Sequence, residues 1–68
     1  MNRVSVTSSN IKSVGWENES MEVEFMNGAV YQYDGVPADV HQNLIEADSV
    51  GSFFHTEIKG NYAYRRVA

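Results

Sequence analysis

The stretch from Met21 to Tyr33 leaves this chain few ways to fold. Met21, Val23 and Phe25 alternate with Glu22 and Glu24, the two-residue period of a strand with one face buried. Asn27-Gly28 follows, a strong signal for a hairpin turn, and Ala29 to Tyr33 resumes as a second strand. Loop length then decides which way the tyrosines point. A two-residue loop at Asn27-Gly28 pairs Glu22 with Tyr33 and sets both tyrosines on the acidic face. A three-residue loop, Met26-Asn27-Gly28 with Gly28 in a left-handed bulge, pairs Met21 with Tyr33 and Val23 with Tyr31. The second register gathers all the large apolar groups on one face. A one-residue slip would expose the whole set, so burial selects that register.

The flanking segments agree with it. Ile11 to Trp16 reads as a strand that turns at Asn18-Glu19 and returns into Met21, opposing Trp16 to Met21 and Val14 to Val23. Both hairpins then contribute to one apolar face, as in an antiparallel meander. Arg3 to Val6 reads as a short edge strand, and Ser8-Ser9-Asn10 as a turn or bulge. After Asp34-Gly35-Val36, Pro37 suits the first position of a helix and Asp39 its positive end. Val40, Leu44 and Ala47 form the apolar stripe of that helix. Ser49 suits the N-cap of a second, whose pattern is Val50, Phe53, Phe54 and Ile58, with Lys59 at its negative end and Gly60 beyond it. Tyr62 to Val67 alternates again and predicts a closing strand. The expected architecture is α+β: one domain over residues 1–68, an antiparallel sheet with two short helices on its apolar face. The closing strand is expected to pair with an edge near the N-terminus.

Charge is segregated along the 68 residues. All nine acids lie between residues 17 and 57, while the five bases, Arg3, Lys12, Lys59, Arg65 and Arg66, lie in the flanks. The formal net charge is −4, which by itself disfavours nucleic acid. If the closing strand meets the N-terminal edge, however, the five bases form one basic surface on an acidic protein. There is no cysteine, so no disulfide or thiolate site, and for a domain of this size that favours the cytoplasm. No apolar run is long enough for a membrane span.

Taken in order, Ser8-Ser9 with Ile11, Val14-Gly15, Val23 with Phe25, Asn27-Gly28, Tyr31 with Tyr33, Gly35-Val36-Pro37, Ala47 with Ser49 and Gly51, Phe54, Ile58-Lys59 and Tyr62 resemble the KTSC domain. The resemblance covers nearly the whole chain. Trp16 stands where a Tyr is more usual and Met21 where Leu is common, and both keep the apolar role. The family takes its name from the C-terminus of some lysyl-tRNA synthetases and also occurs as short stand-alone bacterial and phage proteins. The resemblance therefore implies a small accessory module, with RNA the suggested partner.

Catalysis finds little support in the residues. His41 and His55 match no metal-ligand spacing and read as surface histidines, and no metal or other cofactor is expected. Ser, His and Asp occur without an ordered triad or nucleophile elbow. Glu22 and Glu24 share a face, but a solvated sheet face makes no cleft to raise one carboxyl. The chain reads as a non-catalytic binding module. In one reading Arg3, Lys12, Lys59, Arg65 and Arg66 contact phosphates of tRNA or single-stranded RNA while Tyr62 and Tyr64 stack on bases. In the alternative the partner is another protein, or a second copy, met through Phe53 or an unpaired sheet edge. Tyr31 and Tyr33 are expected to pack beneath the helices instead of serving as a stacking platform.

Overall fold

A computed structural model describes all residues, 1–68. It contains strands β1 (Arg3–Ser5), β2 (Ile11–Glu17), β3 (Ser20–Phe25) and β4 (Val30–Asp34), helices α1 (Ala38–Ile45) and α2 (Val50–Phe53), a π-helical turn (Phe54–Ile58) that continues α2, and strand β5 (Ala63–Arg66). The sheet is antiparallel, and its spatial order is its chain order, β1-β2-β3-β4-β5. The helices cover one face, so the fold is α+β as the periodicity predicts.

The central hairpin adopts the register that burial selects. Met21 opposes Tyr33 and Val23 opposes Tyr31. The loop is the three-residue one: the Phe25 N–H donates to Ala29 O at 2.9 Å, and Gly28 takes φ +91°, a conformation that disfavours any side chain. The Asn27 side chain accepts from the Ala29 N–H at 3.0 Å and pins the turn. At the other hairpin Asn18 and Glu19 both have positive φ, 51° and 64°, the type I′ geometry that matches strand twist. Trp16 opposes Met21 and Val14 opposes Val23, also as expected. A bulge between Ile11 and Ser13 leaves Lys12 without a partner in the ladder.

The core lies between sheet and helices. Ile11, Val14, Met21, Val23, Tyr33, Val36, Leu44, Val50, Phe54 and Ile58 form it. Pro37 stands one residue earlier than expected, as the N-cap of α1 with ψ 156°, an extended value that places the first helical turn at Ala38. Trp16 fastens this junction by donating from Nε1 to Val36 O at 2.7 Å. Ser49 caps α2 as predicted, its hydroxyl accepting from the Ser52 N–H at 3.2 Å.

One expectation about topology is overturned. β5 does not return to the N-terminal edge; it lies on the free side of β4, with Tyr64 opposite Tyr33 and Arg66 opposite Tyr31. The two helical segments start at the end of β4 and deliver the chain back to that strand's open edge, the short connection that folds prefer. The terminal strands are therefore the two opposite edges of the sheet.

Candidate functional site: an aromatic cleft beside the last strand

β5 extends the sheet past the helices, and a cleft opens there. Phe25 at the end of β3, Tyr31 and Tyr33 on β4, Phe54 on the π-helical turn and Tyr64 on β5 line it, with Asn10, His55 and Lys59 among the polar residues around them. Its volume is about 460 Å³. The rings form a continuous lattice. Phe25 meets Tyr31 edge-on at 5.8 Å and Phe54 at 5.6 Å, while Tyr33 meets Phe54 edge-on at 5.4 Å. Tyr64 leans over Tyr33 at 5.5 Å and Tyr31 at 5.8 Å. Such pairs stabilise beyond the area they bury. Tyr33 and Phe54 are buried, Phe25 and Tyr31 are half-buried, and Tyr64 is 60% exposed. The lattice thus has a closed floor and an open lip.

The backbone places the lip. In the π-helical turn the Lys59 N–H reaches back to Phe54 O at 2.9 Å, one residue farther than an α-helical bond spans. That turn keeps Phe54 and Ile58 in the core while Lys59 lines the cleft. Burial holds the Tyr33 phenol above its ordinary pKa, and the neighbouring hydroxyls of Tyr64 and Tyr31 push it the same way. Tyr33 therefore stays neutral in the floor.

The structure divides the predicted basic surface. Tyr64 and Lys59 line the cleft, and Arg66, opposite Tyr31, shares its face. Arg65 lies on the other face, where it approaches Asp34 at 3.9 Å. Tyr62 is half-buried against the core. Arg3 and Lys12 are at the far edge, beside a polar hollow that includes Ser5, Ser13 and Glu24. Arg3 forms an ion pair with Glu22 and approaches Glu24 at 4.0 Å. The expectation that the five bases converge is thus corrected: opposite sheet edges hold them apart, and carboxylates engage Arg3 and Arg65. Phe53 is half-buried and packs against the core.

Phe25, Tyr31, Phe54, Asn10 and His55 belong to the cleft although sequence reasoning gave them no such role. The pairing register correctly put Tyr31 on the helix-covered face; what stayed unread is that the cover stops short of it. His41 also departs from a plain surface histidine. It is half-buried and stacks on Trp16, with ring centroids 6.0 Å apart and planes 21° apart, and burial lowers its pKa. No three His, Asp or Glu side chains converge as a bound metal ion would require. No helix is long and apolar enough to cross a membrane.

Comparison with known proteins agrees on the family. The family model described as the KTSC domain matches residues 7–62. An uncharacterised protein of Stutzerimonas stutzeri is 44% identical over 98% of this chain and 99% of its own length. The crystal structure of a KTSC domain protein from Yersinia pestis superposes with a TM-score of 0.92 at 41% identity, covering 98% of this chain and 97% of that one. Proteins named lysine–tRNA ligase from Trichormus variabilis and a Nostoc species are 37% and 36% identical over 85% of this chain, which spans 11% of their length. The fold, the motif order and these matches place this chain in the KTSC domain family.

Proposed function

We propose that this domain is a non-catalytic binding module that holds its ligand in the aromatic cleft, and that the ligand is an extended segment of another protein. The observation that carries this reading is the coincidence of a free strand edge with an open set of rings. All four residues of β5 are exposed, and no strand lies beyond it. A partner strand can pair with that edge through its main chain and drop alternate side chains towards Tyr64 and Tyr31. Arg66 shares the cleft face, and although its Nε donates to Ala68 O its remaining N–H groups favour acidic side chains in the partner. The carboxylates of the open face serve structure in this reading: Glu24 accepts from the Ser13 hydroxyl at 2.9 Å, and Glu22 pairs with Arg3. The absence of cysteine fits work in the cytoplasm.

The test is fluorescence anisotropy with labelled extended peptides of alternating aromatic and acidic residues. Binding should weaken about tenfold or more in Tyr64→Ala, on the scale of an exposed aromatic anchor, and be unchanged in Arg3→Ala. If no peptide binds in a Tyr64-dependent way, this reading fails.

Single-stranded RNA is a second reading, favoured by the lysine–tRNA ligase relatives and by Tyr64 sharing a cleft with Lys59 and a face with Arg66. So few cations give weak binding, with a log–log salt slope of about −0.7 per phosphate contacted. Titration with tRNA or single-stranded RNA at low salt, repeated with Lys59→Ala plus Arg66→Ala, decides it: affinity should fall in the double variant, and indifference removes RNA from this cleft.

A further inference from the structure

The opposite edge of the sheet offers a second surface, independent of the cleft. In β1, Val4 is 64% exposed. It opposes the buried Val14, so its side chain stands on the helix-covered side. There it borders an open groove of about 430 Å³ between β1 and the connection from α1 to α2, where Val6, Ile45, Ala47 and Val50 supply the apolar lining and Asp48 the single charge. An edge strand with apolar surface beside it is a template for another strand.

Charge decides which strand fits. The one charged residue of β1, Arg3, is engaged by Glu22 and Glu24 of its own sheet. Suppose two β1 strands meet antiparallel about a twofold axis through Val4. Val4 then opposes Val4, and each Arg3 opposes the uncharged Ser5 of the other copy, so no like charges face each other across the seam. The same operation on β5 would line one seam with Arg65 and Arg66 from both copies. Self-pairing thus gathers two arginines at β1, each engaged by carboxylates of its own sheet, against four at β5.

We propose that β1 pairs with β1 of a second copy of this chain, continuing one sheet through both molecules, with each Val4 covering the border of the other's groove. The seam is three residues long in each copy. That is small against the roughly 1,200 Å² at the lower end of stable complexes, so the dimer is weak and forms only at high protein concentration.

Sedimentation velocity from micromolar to millimolar protein tests the proposal and its register. The dimer fraction should rise with concentration. Ser5→Arg, which sets like charges opposite one another, should raise the dissociation constant about tenfold, and Ser5→Glu, which sets a carboxylate opposite Arg3, should lower it by several-fold. Val4→Lys should leave only monomer. Ser5 is exposed, so both Ser5 variants should keep the parent's melting profile in dilute solution, read by circular dichroism. A parent that stays monomeric at millimolar concentration overturns the proposal. So does a dimer that Ser5→Arg and Ser5→Glu shift in the same direction.

Discussion

The two edges of this sheet start from similar sequence and end with opposite electrostatics. β1 and β5 are both short, exposed and arginine-bearing. Arg3 on β1 lies in a row with Gly15 on β2 and Glu22 on β3. Because Gly15 has no side chain, Arg3 reaches across the intervening strand to the carboxylate. A Cβ at Gly15 would sit 2.7 Å from Asn2 O and 3.1 Å from the Arg3 Cγ. Beside β5, Lys59 meets no Asp or Glu within 4.0 Å, Arg66 turns back to donate from Nε to Ala68 O at 2.9 Å, and the neighbouring surface is aromatic. Outward-facing carboxylates, Glu22 and Glu24 on β3 and Asp34 on β4, determine which bases are engaged; the number of bases at each end of the chain does not. One edge is neutral with an apolar groove, and the other is basic with an aromatic cleft.

The largest expected effect comes from removing the floor of the cleft. Phe54 is 4% exposed and touches Phe25 and Tyr33, so Phe54→Ala should cost about 3–5 kcal/mol in urea unfolding. In the folded population, hydrogen exchange should quicken first in β5 and the π-helical turn, while the β1–β2 pair keeps its protection relative to the rest. Equal loss at both edges would break the distinction drawn between them.

Gly15→Ala attacks the other side. The added methyl must displace backbone at Asn2, which should cost about 1–3 kcal/mol and loosen β1, leaving Tyr64 fluorescence unchanged. Replacing Glu22 and Glu24 by Gln should change stability by less than about 1 kcal/mol, since the Arg3 pair is partly exposed. It should also release Arg3, and retention on a polyanionic resin at low salt should then rise. No gain in retention would mean that the glutamates do not account for the neutrality of that edge.

Acid and base should separate the two halves with the smallest effects. The folded-state pKa of His41 lies below its ordinary 6.5, so the stacked neutral ring adds stability that is present above that pH and lost as pH falls below it. His41→Phe keeps the stack and should remove this acid dependence in thermal melts. The folded-state pKa of Tyr33 lies above its ordinary 10.0, so its contribution is complete below pH 10 and lost as pH rises beyond it. Tyr33→Phe should flatten the alkaline limb alone.

Much of this fold could be read from the residues because burial on one face is a strong constraint. Met21, Val23, Tyr31 and Tyr33 admit one register, and Asn18-Glu19, Asn27-Gly28 and Ser49 carry their own turn and cap chemistry. The position of β5 was not readable in the same way. All four of its residues are exposed, so it has no buried face with which to choose a neighbour. Its place follows from where the helices deliver the chain, a three-dimensional outcome. The aromatic cleft was hidden for that reason, since it exists only once Tyr64 leans on Tyr33 and Tyr31. The π-helical turn was hidden too: Val50, Phe53, Phe54 and Ile58 fit an ordinary helical stripe, and the displaced hydrogen bond at Lys59 leaves no mark in the pattern of apolar residues.

Strand order that follows chain order also has a kinetic side. The first four strands can each dock on the strand just made, through the Asn18-Glu19 and Asn27-Gly28 turns and the longer connection over residues 6–10, so most of the ladder closes through local contacts with little loop entropy to overcome. β5 alone must wait for both helical segments, so its docking is the step with the longest loop to close. The surface assigned here to ligand binding is thereby the last part of the molecule to be completed during refolding, and the first to open when β5 frays.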